Sequence, residues 1–161
     1  MNADAFRHFY DYHFAENRKI WDTHITSLTQ AQFTQPVAYS VGSLRNQIVH
    51  LMEVDHGWFS QLIGVDPSFL DDSMDDRAAI RAYGDQVEQQ MRAYLAGLRD
   101  DMLPTKPFAE GEDKDLTLWQ VLLHVGNHGT DHRAQILRLL NDMGAKTGPQ
   151  DYVFYVYDHV I

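Results

Sequence analysis

The sequence predicts an all-α fold: a four-helix bundle with a crossover connection and a short C-terminal helix. Two observations predict it. Four long stretches carry apolar residues at three- and four-residue spacing, and turn-forming segments rich in Pro, Gly, Ser and Asp separate them. No internal repeat, low-complexity tract or linker divides the chain, so residues 1–161 form one domain.

The first helix is expected over residues 3–28, where Phe6, Phe9, Tyr10, His13, Ile20, Trp21, His24 and Leu28 recur on one face. Gln35-Pro36 and the small residues around 40–43 interrupt that pattern. Ser43 is a suitable N-cap for a second helix to Ile63, with Gly64 past its end. Its stripe is Leu44, Ile48, Leu51, Val54/Asp55, Trp58 and Leu62. Residues 65–76 hold Pro67 and five aspartates, which suits a solvated loop. A third helix over 75–98 turns Ala79, Tyr83, Val87, Met91, Tyr94 and Leu98 inward. Pro104, Pro107 and Gly111 mark 103–115 as a connection. The fourth helix starts at Asp115 or Thr117 and runs to Met143, where Gly144 stops it. Its stripe is Leu118, Val121/Leu122, Val125, His128/Gly129, His132, Ile136 and Leu139. The apolar, aromatic tail over 151–161 has no convincing strand partner, so a helix is expected there too. The two longer connections leave room for the crossover.

Composition narrows the function. With 44% hydrophobic and 12% aromatic residues, the chain can bury a core. Its net charge of −10, from 23 acidic against 13 basic residues, repels phosphate backbones, and no Lys/Arg cluster offsets it. Nucleic acid is therefore not an expected partner. No apolar run approaches the ~20 residues that a membrane span needs. The first residues lack the basic-then-apolar pattern of a signal peptide, and cysteine is absent. A cytoplasmic, reducing setting is expected.

Nine histidines then carry the chemistry. The densest group is His124, His128 and His132, spaced four apart on the fourth helix. Residues four apart stack one turn above each other, so two such imidazoles can converge on one ion. The outer pair is about 12 Å apart along the axis, too far to share one. The helix therefore offers His128/His132 or His124/His128. His128 and His132 fall where the core stripe continues, and a metal would satisfy both rings. Hydrogen-bonded core histidines are the plainer reading. The second helix can supply a third ligand from His50 or His56; His50 is preferred because His56 lies nearer the polar face. Glu53 could support the ligands or act as a base. His8, His13, His24 and His159 have no partner at ligand spacing and read as structural or surface residues. A His-Glu-x-x-His protease is excluded because Gly129 follows His128, and a zinc deaminase is excluded for want of cysteine.

An early His within SLRNQIVHLMEVDHGWF, then His128, His132, Arg133 and Gln135 within LLHVGNHGTDHRAQI, resembles the DinB/YfiT-like superfamily. The opening FYDYHFAENRKIWD and the closing DYVFYVYDHVI look like that family's first helix and tail. Ala134 stands where glycine is common, and Asp131 precedes the last ligand where other residues are frequent. The resemblance implies a four-helix bundle, often a homodimer, holding zinc, nickel, iron or manganese through His50, His128 and His132. It also implies relatives that are thiol-dependent S-transferases and isomerases using bacillithiol, mycothiol or glutathione.

Two function classes follow. In the first, the chain is an enzyme acting on small electrophiles, an S-transferase or otherwise a metal-dependent hydrolase. Three neutral ligands leave the full metal charge on its open positions, and a chain without cysteine leaves a thiol nucleophile to a co-substrate. Glu53, Asp131 or His124 would move protons or orient ligand rings. In the second, the ion staples two helices in a non-catalytic, stress-response protein, with Glu53 or His124 as a fourth ligand. A homodimer is expected on residue grounds as well. The aromatics of the first helix and of the tail, Tyr152 to Tyr157, exceed what one four-helix core needs.

Overall fold

A computed structural model describes residues 1–159; among them all regular structure is helical. The helices are α1 (Ala3–Thr23), α2 (Gln30–Thr34), α3 (Leu44–Ile63), α4 (Arg77–Ala96), α5 (Leu118–Asp142) and α6 (Tyr152–Asp158). The last two residues of the expected C-terminal helix lie outside the described residues. None of the helices is long and apolar enough to cross a membrane.

Side-chain caps set most of the boundaries. Asn2 accepts from the Ala5 amide at 2.9 Å to start α1, and Ser43 accepts from the Asn46 amide at 3.2 Å to start α3. Gly64, at φ 72°, supplies the left-handed residue that ends α3. Asp76 caps α4 through the Ala79 amide at 2.8 Å, so that helix begins at Arg77 instead of Asp75. Thr117 and Gln120 form a capping box that starts α5.

The first helix is shorter than its apolar pattern. It ends at Thr23, and a 3₁₀ turn over Ile25–Ser27 follows. The pattern continues through the turn because Ile25 is still fully buried. A capping box at Thr29 and Gln32 then opens α2, which buries Phe33. Five residues are too few to show a helical period, so sequence spacing does not reveal α2. On α4 the buried stripe is Ile80, Tyr83, Val87, Met91 and Leu95, while Ala79 and Tyr94 are only half-buried.

The long helices form a ring of contacts: α3 packs on α5 and α4, and α1 packs on α5 and α4. Two apolar clusters fill it. One gathers Phe6, Tyr10, Phe14, Phe59, Met91 and Leu122. The other gathers Ile20, Ile25, Phe33, Leu44, Ile80 and Ile136. Beside these clusters α1, α3 and α5 also bury polar residues, among them His13, Asp55 and Arg133. Such groups persist in a core only when hydrogen-bonded. His132 is the residue before Arg133 on α5, and His50 precedes Asp55 on α3.

Candidate metal centre

The packing of α3 on α5 brings His50, His128 and His132 together. The i, i+4 spacing on α5 stacks His128 and His132 with ring centroids 4.3 Å apart. His50 approaches across the helix interface, 4.6 Å from His132 and 5.2 Å from His128. One nitrogen from each ring lies within 4.8 Å of the others. Nitrogens sharing one ion at about 2.0–2.1 Å lie at most about 4.2 Å apart, so small side-chain adjustments bring this set onto one ion.

The donor set fits a divalent ion on two further counts. His132 Nδ1 donates to Gln47 Oε1 at 2.9 Å, which leaves the Nε2 lone pair to face a ligand. His128 Nδ1 is buried with no hydrogen-bond partner, so the protein alone does not satisfy this ring. His50 and His128 are half-exposed, so the cradle opens toward solvent on one side.

Electrostatics keep these rings neutral. His128 is driven down from 6.5 to about 4, first by burial, then by His132 and His50, with Asp55 acting in the opposite direction. Burial also lowers His50, and burial followed by His50 lowers His132. Only neutral imidazole ligates. Ni²⁺ or Zn²⁺ affinity is thus expected to be flat above 6.5, where proton competition is absent, and to fall as pH drops from there toward 4. Chelator competition across that range measures it. Affinity that stays undiminished well below 4 would exclude the three imidazoles as the ligands.

The other expected site residues lie apart from the three converging nitrogens. Glu53 is half-buried on α3, and burial raises its pKa. Asp131 is exposed and accepts from Gln135 Nε2 at 3.0 Å. His124 is exposed, with its ring 6.2 Å from His128 and 5.4 Å edge-on to Trp58. His56 is buried and engaged with the Tyr83 hydroxyl at 2.9 Å. Of the remaining histidines, His8 packs against Tyr152 and Tyr155. His159 stacks on Tyr155 at 4.0 Å.

Sequence spacing alone misses a polar chain beside the three rings. Arg133, fully buried, donates through Nη1 to His13 Nδ1 at 3.0 Å. A guanidinium only donates, so His13 carries its proton on Nε2 and donates to Asp55 Oδ2 at 2.8 Å. Arg133 also donates to Thr130 Oγ1 and to Gln150 Oε1, each at 2.9 Å. The available signal was charge on a core stripe: Asp55 and Arg133 both fall where apolar residues are due.

Comparison with known proteins identifies the family. The DinB family model matches residues 1–159. The chain is similar to the protein named Protein DinB of Bacillus subtilis (strain 168), at 24% identity over 168 residues, covering 98% of this chain and 96% of that protein.

Proposed function

The chain belongs to the DinB family, and from that premise we propose that it is a metal-dependent enzyme transferring a low-molecular-weight thiol to a small electrophile. One observation carries this reading most directly: three imidazoles held neutral converge from two helices and leave one side of the cradle open. His50, His128 and His132 hold the ion, with zinc, nickel, iron and manganese all admissible for such a set. Bound there, a divalent ion supplies Lewis acidity that brings a thiol or a water to its anionic form near neutral pH. The chain has no cysteine of its own, which favours a nucleophile that arrives with a co-substrate.

The protein's own residues orient and neutralise. Gln47 fixes the His132 ring from behind, and neutral ligands leave the positive charge for the incoming group. His124 is exposed, packs edge-on against Trp58 and lies 6.2 Å from His128, where it can exchange a proton with solvent.

Metal-loaded protein is expected to accelerate conjugation of glutathione, bacillithiol or a mycothiol surrogate to a chloro-dinitroarene or an epoxide. Chelation and His50→Ala should each remove that rate while the helical circular dichroism persists. Loss of the helical signal in His50→Ala would make the ion a staple. Inertness with all three thiols moves the reading to water as nucleophile, tested with esters and amides. Inertness there too leaves a non-catalytic metal-binding protein of the stress-response kind.

The functional unit in this reading is a homodimer. Tyr152 and Tyr155 of α6 lie against Phe9 and Tyr12 of α1. Val153, Phe154 and Tyr157 of α6 remain exposed, and so do Trp119 and Leu123 of α5. A second copy is the occupant assigned to these side chains. Light scattering at micromolar concentration should give twice the chain mass of 18.6 kDa, and a monomer rejects the assignment.

A further inference from the structure

Three helices meet at the level of the histidine cradle, but only two of them supply its rings. The third, α1, contributes His13, which has no exposed surface and bridges the other two. It accepts from Arg133 of α5 at 3.0 Å and donates to Asp55 of α3 at 2.8 Å. Arg133 is the residue after His132. Asp55 lies little more than one turn beyond His50 on the same helix.

The Arg133 end of the chain is locked against slippage, while at the other end Asp55 holds His13 through Oδ2 alone and its Oδ1 is buried without a hydrogen-bond partner. Arg133 is gripped by Asn17 Oδ1 at 3.1 Å, Thr130 Oγ1 and Gln150 Oε1, and the Tyr12 ring faces its guanidinium at 5.2 Å. Gly129, one residue after His128, lets His13 close on the helix. A Cβ there would meet His13 Cε1 at 2.3 Å and Nδ1 at 2.5 Å. A close approach of an α1 side chain to the α5 backbone therefore falls inside the His128–His132 turn itself. Asp55 is also close enough for its charge to act on His128.

We infer that the Asp55–His13–Arg133 hydrogen-bond chain sets the separation and register of α3 against α5, and thereby the geometry in which His50, His128 and His132 share one ion. Asp55, His13 and Arg133 are positioning residues for the metal. The inference rests on the metal reading of the cradle and adds a cause for its shape. A buried charge that only filled space would be poorly placed here, since an apolar residue of similar volume serves packing at least as well. A fork-shaped guanidinium and a two-ended imidazole instead fix direction and distance together.

The test uses Co²⁺ as probe, read by its visible absorption bands and by chelator competition, beside the thermal unfolding of each metal-free protein. Wild type, His13→Phe, Arg133→Met and a core control, Leu95→Ala on α4, are compared well below their unfolding temperatures. The two network variants are expected to lose about 10–100-fold in Co²⁺ affinity and to shift the bands, the range typical when the support behind metal ligands is removed. Leu95→Ala should unfold earlier while keeping wild-type bands and affinity. Should either network variant fail to fold, Asp55→Asn and Asp55→Leu carry the test. Asparagine keeps an oxygen for His13 Nε2–H, so Asp55→Asn should hold Co²⁺ more tightly than Asp55→Leu. Network variants with the bands and affinity of Leu95→Ala overturn the inference alone. A wild-type chain that takes up no Co²⁺, Ni²⁺ or Zn²⁺ overturns the metal reading and this inference with it.

Discussion

His128→Ala is expected to give a folded, helical protein that no longer takes up a stoichiometric divalent ion. His128 lies 4.3 Å from His132 and 5.2 Å from His50. Its removal leaves two donors on different helices. Structural zinc sites gain about 10–16 kcal/mol over four ligands, so one ligand is worth on the order of a hundredfold or more in affinity. The fold should tolerate the change because the ring is half-exposed and makes no hydrogen bond through Nδ1. Acid stability supplies a second reading with a defined sign. His128 binds its proton more weakly in the fold, at about 4, than the 6.5 of a free ring. The unfolded chain therefore binds more protons in that interval, and the metal-free protein loses stability as pH falls through it. His128→Ala should flatten that loss. Elemental analysis after dialysis, with unfolding curves across the interval, measures both. His132→Ala should also lose the ion, whereas His8→Ala and His159→Ala should keep it. Full occupancy in both His128→Ala and His132→Ala would remove the site.

The parts of this molecule that were legible in its sequence are those with a period or a punctuation mark. The stripes of α3 and α5 repeat over five or more turns, and Ser43, Gly64 and Gly144 mark ends that the backbone respects. His128 and His132 could be paired because a helix fixes what four residues mean in space. The approach of His50 is a tertiary fact, set by how α3 lies on α5. The residues favour His50 because His56 reads as nearer the polar face, and the resemblance agrees, although His56 is the more buried of the two. The hidden parts depend on neighbours that spacing does not encode. On α1, His13 looks like any apolar-face histidine until Asp55 and Arg133 arrive from 42 and 120 residues away. The α2 turn is too short to show a period, and the break after Thr23 is concealed because Ile25 stays buried beyond it.

Gly129→Ala should be among the most damaging single-methyl changes available, and Gly126→Ala one turn earlier should not. Both glycines sit within α5, where alanine is intrinsically the better helix former by about 0.8–1.0 kcal/mol. Both would also place a Cβ 2.3 Å from a ring carbon of α1, His13 at the first and Phe9 at the second. What differs is the freedom of that ring. Phe9 is half-buried and makes only ring contacts, so it can swing outward, at some cost to its packing against Tyr152. Gly126→Ala is therefore expected to stay within about 1 kcal/mol of wild type, with the helical gain offsetting the shift. His13 has no exposed surface and is held at both nitrogens. Moving it breaks the bond from Arg133 or the bond to Asp55 and strands a buried polar group. Overpacking and the lost hydrogen bonding together outweigh the helical gain by about 2–4 kcal/mol, a fall in Tm of about 5–15 °C for a chain of this size. Thermal unfolding of the two variants side by side decides it. Equal melting temperatures would mean that His13 is free to move, and the lock between α1 and α5 would then not exist.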